Sequence, residues 1–117
     1  AIEKALKHYG YENDHNFRQL VYSFLHVEST NGTNKSAFDS SGAQGLFQLT
    51  EDAMAQLMMS NNRVIDSKGT LLPTNRDESW ARKEYTNYKS KLVEDHFFNA
   101  CCGIEYLQYV RRNYSDI

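Results

Sequence analysis

A mainly α domain, with at most one small β-hairpin, is the fold the sequence predicts, and three observations predict it. Phe17, Leu20, Val21, Phe24 and Leu25 recur at the spacing of one helical face, and so do Ala100, Gly103, Ile104, Leu107 and Val110 further along the chain. Residues that start and stop helices stand at the right places between them, with Gly10 as a stop and Asp14 and Thr50 as N-caps. Extended structure is suggested at only two places, around Ala37 and Phe38 and around residues 67–69.

Taken in order, residues 2–9 read as a short helix with Ile2, Ala5, Leu6 and Tyr9 on one side, ended by Gly10. A long helix follows from Asp14 to about Ser29, where polar residues and glycine take over. Residues 30–41 have no period and are expected to form a loop or a small hairpin at the functional site. Thr50 then caps a helix whose first turn carries Glu51 and Asp52, the charge that suits the positive end of the helix dipole. Ala53, Met54, Leu57 and Met58 form its apolar side, and Met54, Met58 and Met59, which could also line an adaptable binding groove, read at helical spacing as core packing. Residues 61–75 are expected to be a loop with a weak hairpin, and residues 76–91 a polar, partly exposed helix with Trp80, Tyr85 and Tyr88. The last helix runs from about Asp95 to Arg112, and Gly103 in it permits close approach by a neighbour.

One domain over residues 1–117 is the expectation, long enough to bury a core without metal or disulfide staples. With 40% hydrophobic and 24% charged residues the chain is not compositionally disordered, and its longest apolar run is too short for a membrane span. A net charge of -2 and the lack of any basic block argue against a nucleic-acid partner. The two cysteines, Cys101 and Cys102, are adjacent and fall in a helix, which favours buried free thiols over a disulfide. The opening residues lack the apolar core of a signal peptide, which leaves a cytoplasmic protein, a processed chain and an excised domain all open. His26-Val27-Glu28 matches the start of a zinc-deaminase signature, but no P-C-x-x-C follows. The other histidines lack ligand spacing, so neither a metal nor another cofactor is expected.

Glu28 falls on the same helical face as the apolar residues before it, which places a carboxylate on a core stripe. Burial without a partner disfavours the ionised form, so its pKa is expected to be raised, as a general acid requires. A turn outward to solvent or a pairing with Lys or Arg is the alternative for such a residue. Ser29 follows it directly, and Gly42 to Gln48 reads G-A-Q-G-L-F-Q, whose glycines allow tight turns and close approach of a ligand.

The E-S pair, a polar loop and G-A-Q-G-L-F-Q together resemble the soluble lytic transglycosylases and their relatives the goose-type lysozymes. The segment N-A-C-C-G-I-E-Y-L, residues 99–107, is similar to that group's N-x-x-x-G-x-x-Y-L helix. The resemblance implies a lysozyme-like helical domain with a central catalytic helix, and a muramidase that cuts the β-1,4 bond between N-acetylmuramic acid and N-acetylglucosamine in peptidoglycan. It implies action at the bacterial cell wall (periplasmic, secreted or on a phage virion) by what is expected to be a monomer. Glu28 would be the acid and then the base, closing an anhydro ring through the substrate's own hydroxyl. Ser29, Gln48 and Tyr106 are the implied substrate-binding residues. For each a structural role is open beside it: helix capping for Ser29, helix entry for Gln48, a satisfied core hydroxyl for Tyr106.

Asp39 decides between the two branches. It lies six residues before Gly45, where transglycosylases usually carry Ser and goose-type lysozymes an Asp, so it is the candidate second carboxylate of a hydrolytic lysozyme. D-S-S-G is also ordinary turn chemistry, and the loop is two residues longer than the common transglycosylase pattern. The group's A-Y-N-A-G segment does not occur, which implies either truncation at the C-terminal end or a divergent branch such as a phage lysis enzyme. An inactive glycan-binding or assembly module and a peptide cross-link endopeptidase are the competing functions.

Overall fold

The structure, a computed structural model, describes residues 1–29 and 47–114; the side chains of Glu28, Ser29 and Tyr114 are outside that description. Six helices occupy most of it: α1 Ile2–His8, α2 His15–Ser29, α3 Glu51–Met58, α4 Glu78–Tyr85, α5 Lys89–Glu94 and α6 His96–Tyr114. The fold is mainly α, and the extended pairing among the described residues is slight. An isolated antiparallel bridge joins Ile65 to Leu71 across a turn where Gly69 takes φ +86.

Local chemistry explains the helix starts. The Phe17 N–H donates to Asp14 Oδ1 at 3.0 Å, and the Ala53 N–H to Thr50 Oγ1 at 3.1 Å. Asp77 accepts from the amides of Ser79 and Trp80, and Asp95 accepts from that of Phe98. Gly10, at φ +80, ends the α1 turn in a conformation that side chains rarely adopt.

The core takes Ala5, Leu6 and Tyr9 from α1; Phe17, Val21 and Leu25 from α2; and Ala53, Met54, Leu57 and Met58 from α3. Met54 and Met58 are fully buried, in agreement with core packing, and Met59 is partly buried against the same core. Leu20, expected on the α2 stripe, is 39% exposed. It stands at the margin of the arc that Phe17, Val21 and Leu25 share.

One expectation of architecture is revised. Residues 76–91 form two helices, not one: the amides of Thr86, Asn87 and Tyr88 bond to carbonyls three residues back, and the Thr86 hydroxyl donates to Lys83 O at 2.8 Å. This tight turn closes α4 before α5 begins. Among the described elements, α6 also holds a central place. It packs against α1, α2, α3 and α5, and residues 97–105 are buried on every side.

Candidate functional site

Glu28 lies in the last turn of α2, three residues after buried Leu25 and four after half-buried Phe24, so its backbone occupies the core-facing register. Its carboxyl group, and the raised pKa expected for it, lie outside the described residues, as does the Ser29 side chain. Asp39 and the loop around it lie outside them too, with the first part of G-A-Q-G-L-F-Q.

What the structure does bring together are the ends of the two sequence segments. Phe47 is fully buried, and its backbone N–H donates to Asn99 Oδ1 at 3.1 Å. Asn99, also fully buried, uses the other end of its amide to donate to Leu92 O at 2.8 Å. One turn further along α6, Gly103 faces the Phe47 ring so closely that a Cβ there would lie 2.6 Å from ring carbons. The same ring meets Phe24 of α2, with centroids 5.3 Å apart. F of G-L-F-Q is thus wedged between the helix of Glu28 and the Asn and Gly of N-x-x-x-G-x-x-Y-L.

Gln48 follows directly. It is half-buried and has φ +50, in the left-handed region, which costs a residue with a side chain roughly 1–2 kcal/mol. Such strain persists only where the surroundings hold it. The next residues, Leu49 and Thr50, return the chain to the core and to the start of α3. Tyr106 stands one turn after Gly103, half-buried against the core, its ring stacked on Tyr109 at 6.1 Å.

Sequence reasoning passed over Glu105, the neighbour of Tyr106. It is buried, and its Oε1 accepts from the Tyr9 hydroxyl at 2.9 Å and from the Arg63 N–H at 3.0 Å. Burial, reinforced by the Glu105 charge, pushes the Tyr9 phenol far above its usual range, so it stays a donor. Asp66 is the third buried polar residue, and its carboxyl is held down to about 2 by Lys91 at 2.9 Å and by the amides of Thr70 and Lys68. Cys101 and Cys102 are buried and unbridged, and burial pushes the Cys101 thiol up to about 12 and Cys102 well above its ordinary value. Neither is a nucleophile at neutral pH.

A separate groove runs along the solvent side of α2, lined by His15, Arg18, Tyr22, Ser23, His26 and Val27. It is on the opposite side of the helix from Phe24 and Leu25, and neither Gln48 nor Tyr106 lines it. Among the described residues no group of three His, Cys, Asp or Glu side chains is arranged to hold a metal ion. Comparison of the chain with protein-family models, with curated proteins and with solved structures gave no match.

Proposed function

We propose that the chain cleaves the glycan strands of peptidoglycan between N-acetylmuramic acid and N-acetylglucosamine, as a lytic transglycosylase with Glu28 as its acid and base. The observation that carries this reading is the wedge at Phe47. Two segments chosen only for their likeness to this group, 52 residues apart at Phe47 and Asn99, meet through a buried hydrogen bond, on the core side of the helix that bears Glu28.

The chemistry follows from one carboxyl group. Glu28 gives its proton to the glycosidic oxygen as the bond to the muramic acid anomeric carbon breaks, and positive charge develops on that sugar ring. The carboxylate then takes the proton of the muramic acid's own primary hydroxyl, whose oxygen bonds to the anomeric carbon. An anhydro ring closes, and Glu28 is again protonated. Gln48 offers an amide donor and acceptor to the sugar, and the cell wall is the place of action. No described helix is long and apolar enough to cross a membrane.

Mass spectrometry of fragments released from purified peptidoglycan tests this. Anhydro-muramyl products, lighter by one water than hydrolytic ones, are expected from the wild type, and Glu28→Gln, which keeps the shape but lacks the transferable proton, should release at least about 100-fold less. Undiminished release by a folded Glu28→Gln protein would remove Glu28 from its role. Reducing-end products would make water the acceptor and Asp39→Asn the next variant to build.

A further inference from the structure

Phe47 is held at three points, and two of them belong to α6. Its amide is bonded to Asn99, and Asn99 cannot rotate away without giving up the bond to Leu92 O as well, since the two ends of one planar amide serve both partners. Its ring fills the space that the missing Cβ of Gly103 leaves, and the same ring meets Phe24. Gly103 lies inside a helix and has no left-handed backbone to account for it, and helix propensity alone favours alanine there. The glycine is therefore explained by the ring above it. Any displacement of that ring passes in two directions: through one peptide bond to the strained Gln48, and through Phe24 to the turn of α2 that ends at Glu28.

We propose that Asn99 and Gly103 are positioning residues of the glycan-cleaving site, which seat Phe47 and so set Gln48 and the last turn of α2 relative to each other. The proposal rests on the reading of Glu28 as the acid. Misplacement of reacting groups by a fraction of an ångström lowers the rate of the bound complex more than it weakens binding.

The test is the steady-state kinetics of Gly103→Ala, Phe47→Leu and the double variant on soluble peptidoglycan strands, with circular dichroism to give the folded fraction. Gly103→Ala is expected to lower kcat about tenfold or more with KM within about twofold. Phe47→Leu keeps α6 intact and loosens the seat, so it too should lower kcat even if Gly103→Ala folds poorly. The double variant, in which the smaller side chain meets the added methyl, should stand closer to wild type than either single variant, a non-additivity that distant residues without shared partners do not show. In the wild type the Phe47 amide should exchange with solvent far more slowly than in an unfolded peptide. Unchanged kcat per folded molecule in both single variants, a double variant no better than the worse single one, or an unprotected Phe47 amide would each overturn the proposal alone. A wild type that releases no glycan fragments would overturn the Glu28 reading and this proposal with it.

Discussion

Asn99 and Glu105 both reach out of α6 to accept a backbone N–H from a segment that is not helical, yet the two anchors are built differently. At Phe47 the acceptor is neutral, the anchored residue is a buried aromatic, and a glycine makes room for it. At Arg63 the acceptor is a carboxylate, which gathers the Arg63 amide and the Tyr9 hydroxyl onto one oxygen, while the Arg63 guanidinium turns away to donate to His8 O at 3.0 Å. The first anchor is mostly apolar packing with a single directional bond. The second is mostly directional bonding, needed because a buried carboxylate without donors is costly. One helix thus holds a residue by its side chain at one point and by its backbone at another.

The largest expected effect separates them on that ground. Phe47→Ala should cost about 3–5 kcal/mol of unfolding free energy, since it empties a packed site, whereas Arg63→Ala, which leaves the anchoring amide in place, should cost about 1 kcal/mol through the lost contact with the Tyr9 ring and the exposed bond to His8 O. Similar losses in urea unfolding would break the comparison.

Next come exchanges of acceptor type. Asn99→Asp puts a carboxyl in a fully buried site, where its pKa must rise above that of the unfolded chain. A raised folded pKa means that the variant is least impaired below the unfolded pKa and loses stability as pH climbs above it, with a deficit of about 3 kcal/mol expected at neutral pH. Glu105→Gln keeps an acceptor oxygen and should cost about 1–2 kcal/mol. Urea midpoints for both variants at acid and neutral pH would sharpen the contrast, and a pH-independent deficit in Asn99→Asp would undo it.

Asp66 supplies the smallest effect and a control away from α6. Its folded pKa lies near about 2 against an ordinary 3.8, mainly through Lys91. The stabilisation is fully present above the ordinary value and is lost as pH falls from 3.8 through about 2. The difference in Tm between wild type and Asp66→Asn should therefore be constant at neutral pH and close only in that acid window. A gap that stays open there would mean that Asp66 acts by shape and not by charge.

How much of this was legible in the sequence depends on the range of the interaction. Capping by Asp14 and Thr50, the stop at Gly10 and the turn at Gly69 are local, and each appeared where a few neighbouring residues pointed. The close approach permitted by Gly103 was legible, but its partner was not, because Phe47 lies far away in the chain. Glu105 was illegible for the same reason: Tyr9 and Arg63, which make its burial tolerable, are 96 and 42 residues distant. The break between α4 and α5 depends on a side-chain bond to the backbone, which periodicity does not encode. The candidate acid stood out because a carboxylate interrupted an apolar stripe. Gln48 stood out through the G-L-F-Q likeness alone, and nothing in that likeness announced its left-handed backbone.

The position of α6 in the order of synthesis has its own consequence. The helix on which α1, α2, α3 and α5 all pack is made after every one of them. While the ribosome is still producing residues 1–95, α3 can already pack on α4, but α1 and α5 lack the helix on which they chiefly rest. The apolar side of α1, with Leu6, stays uncovered until α6 emerges, a period in which the nascent chain is a ready client for holding chaperones.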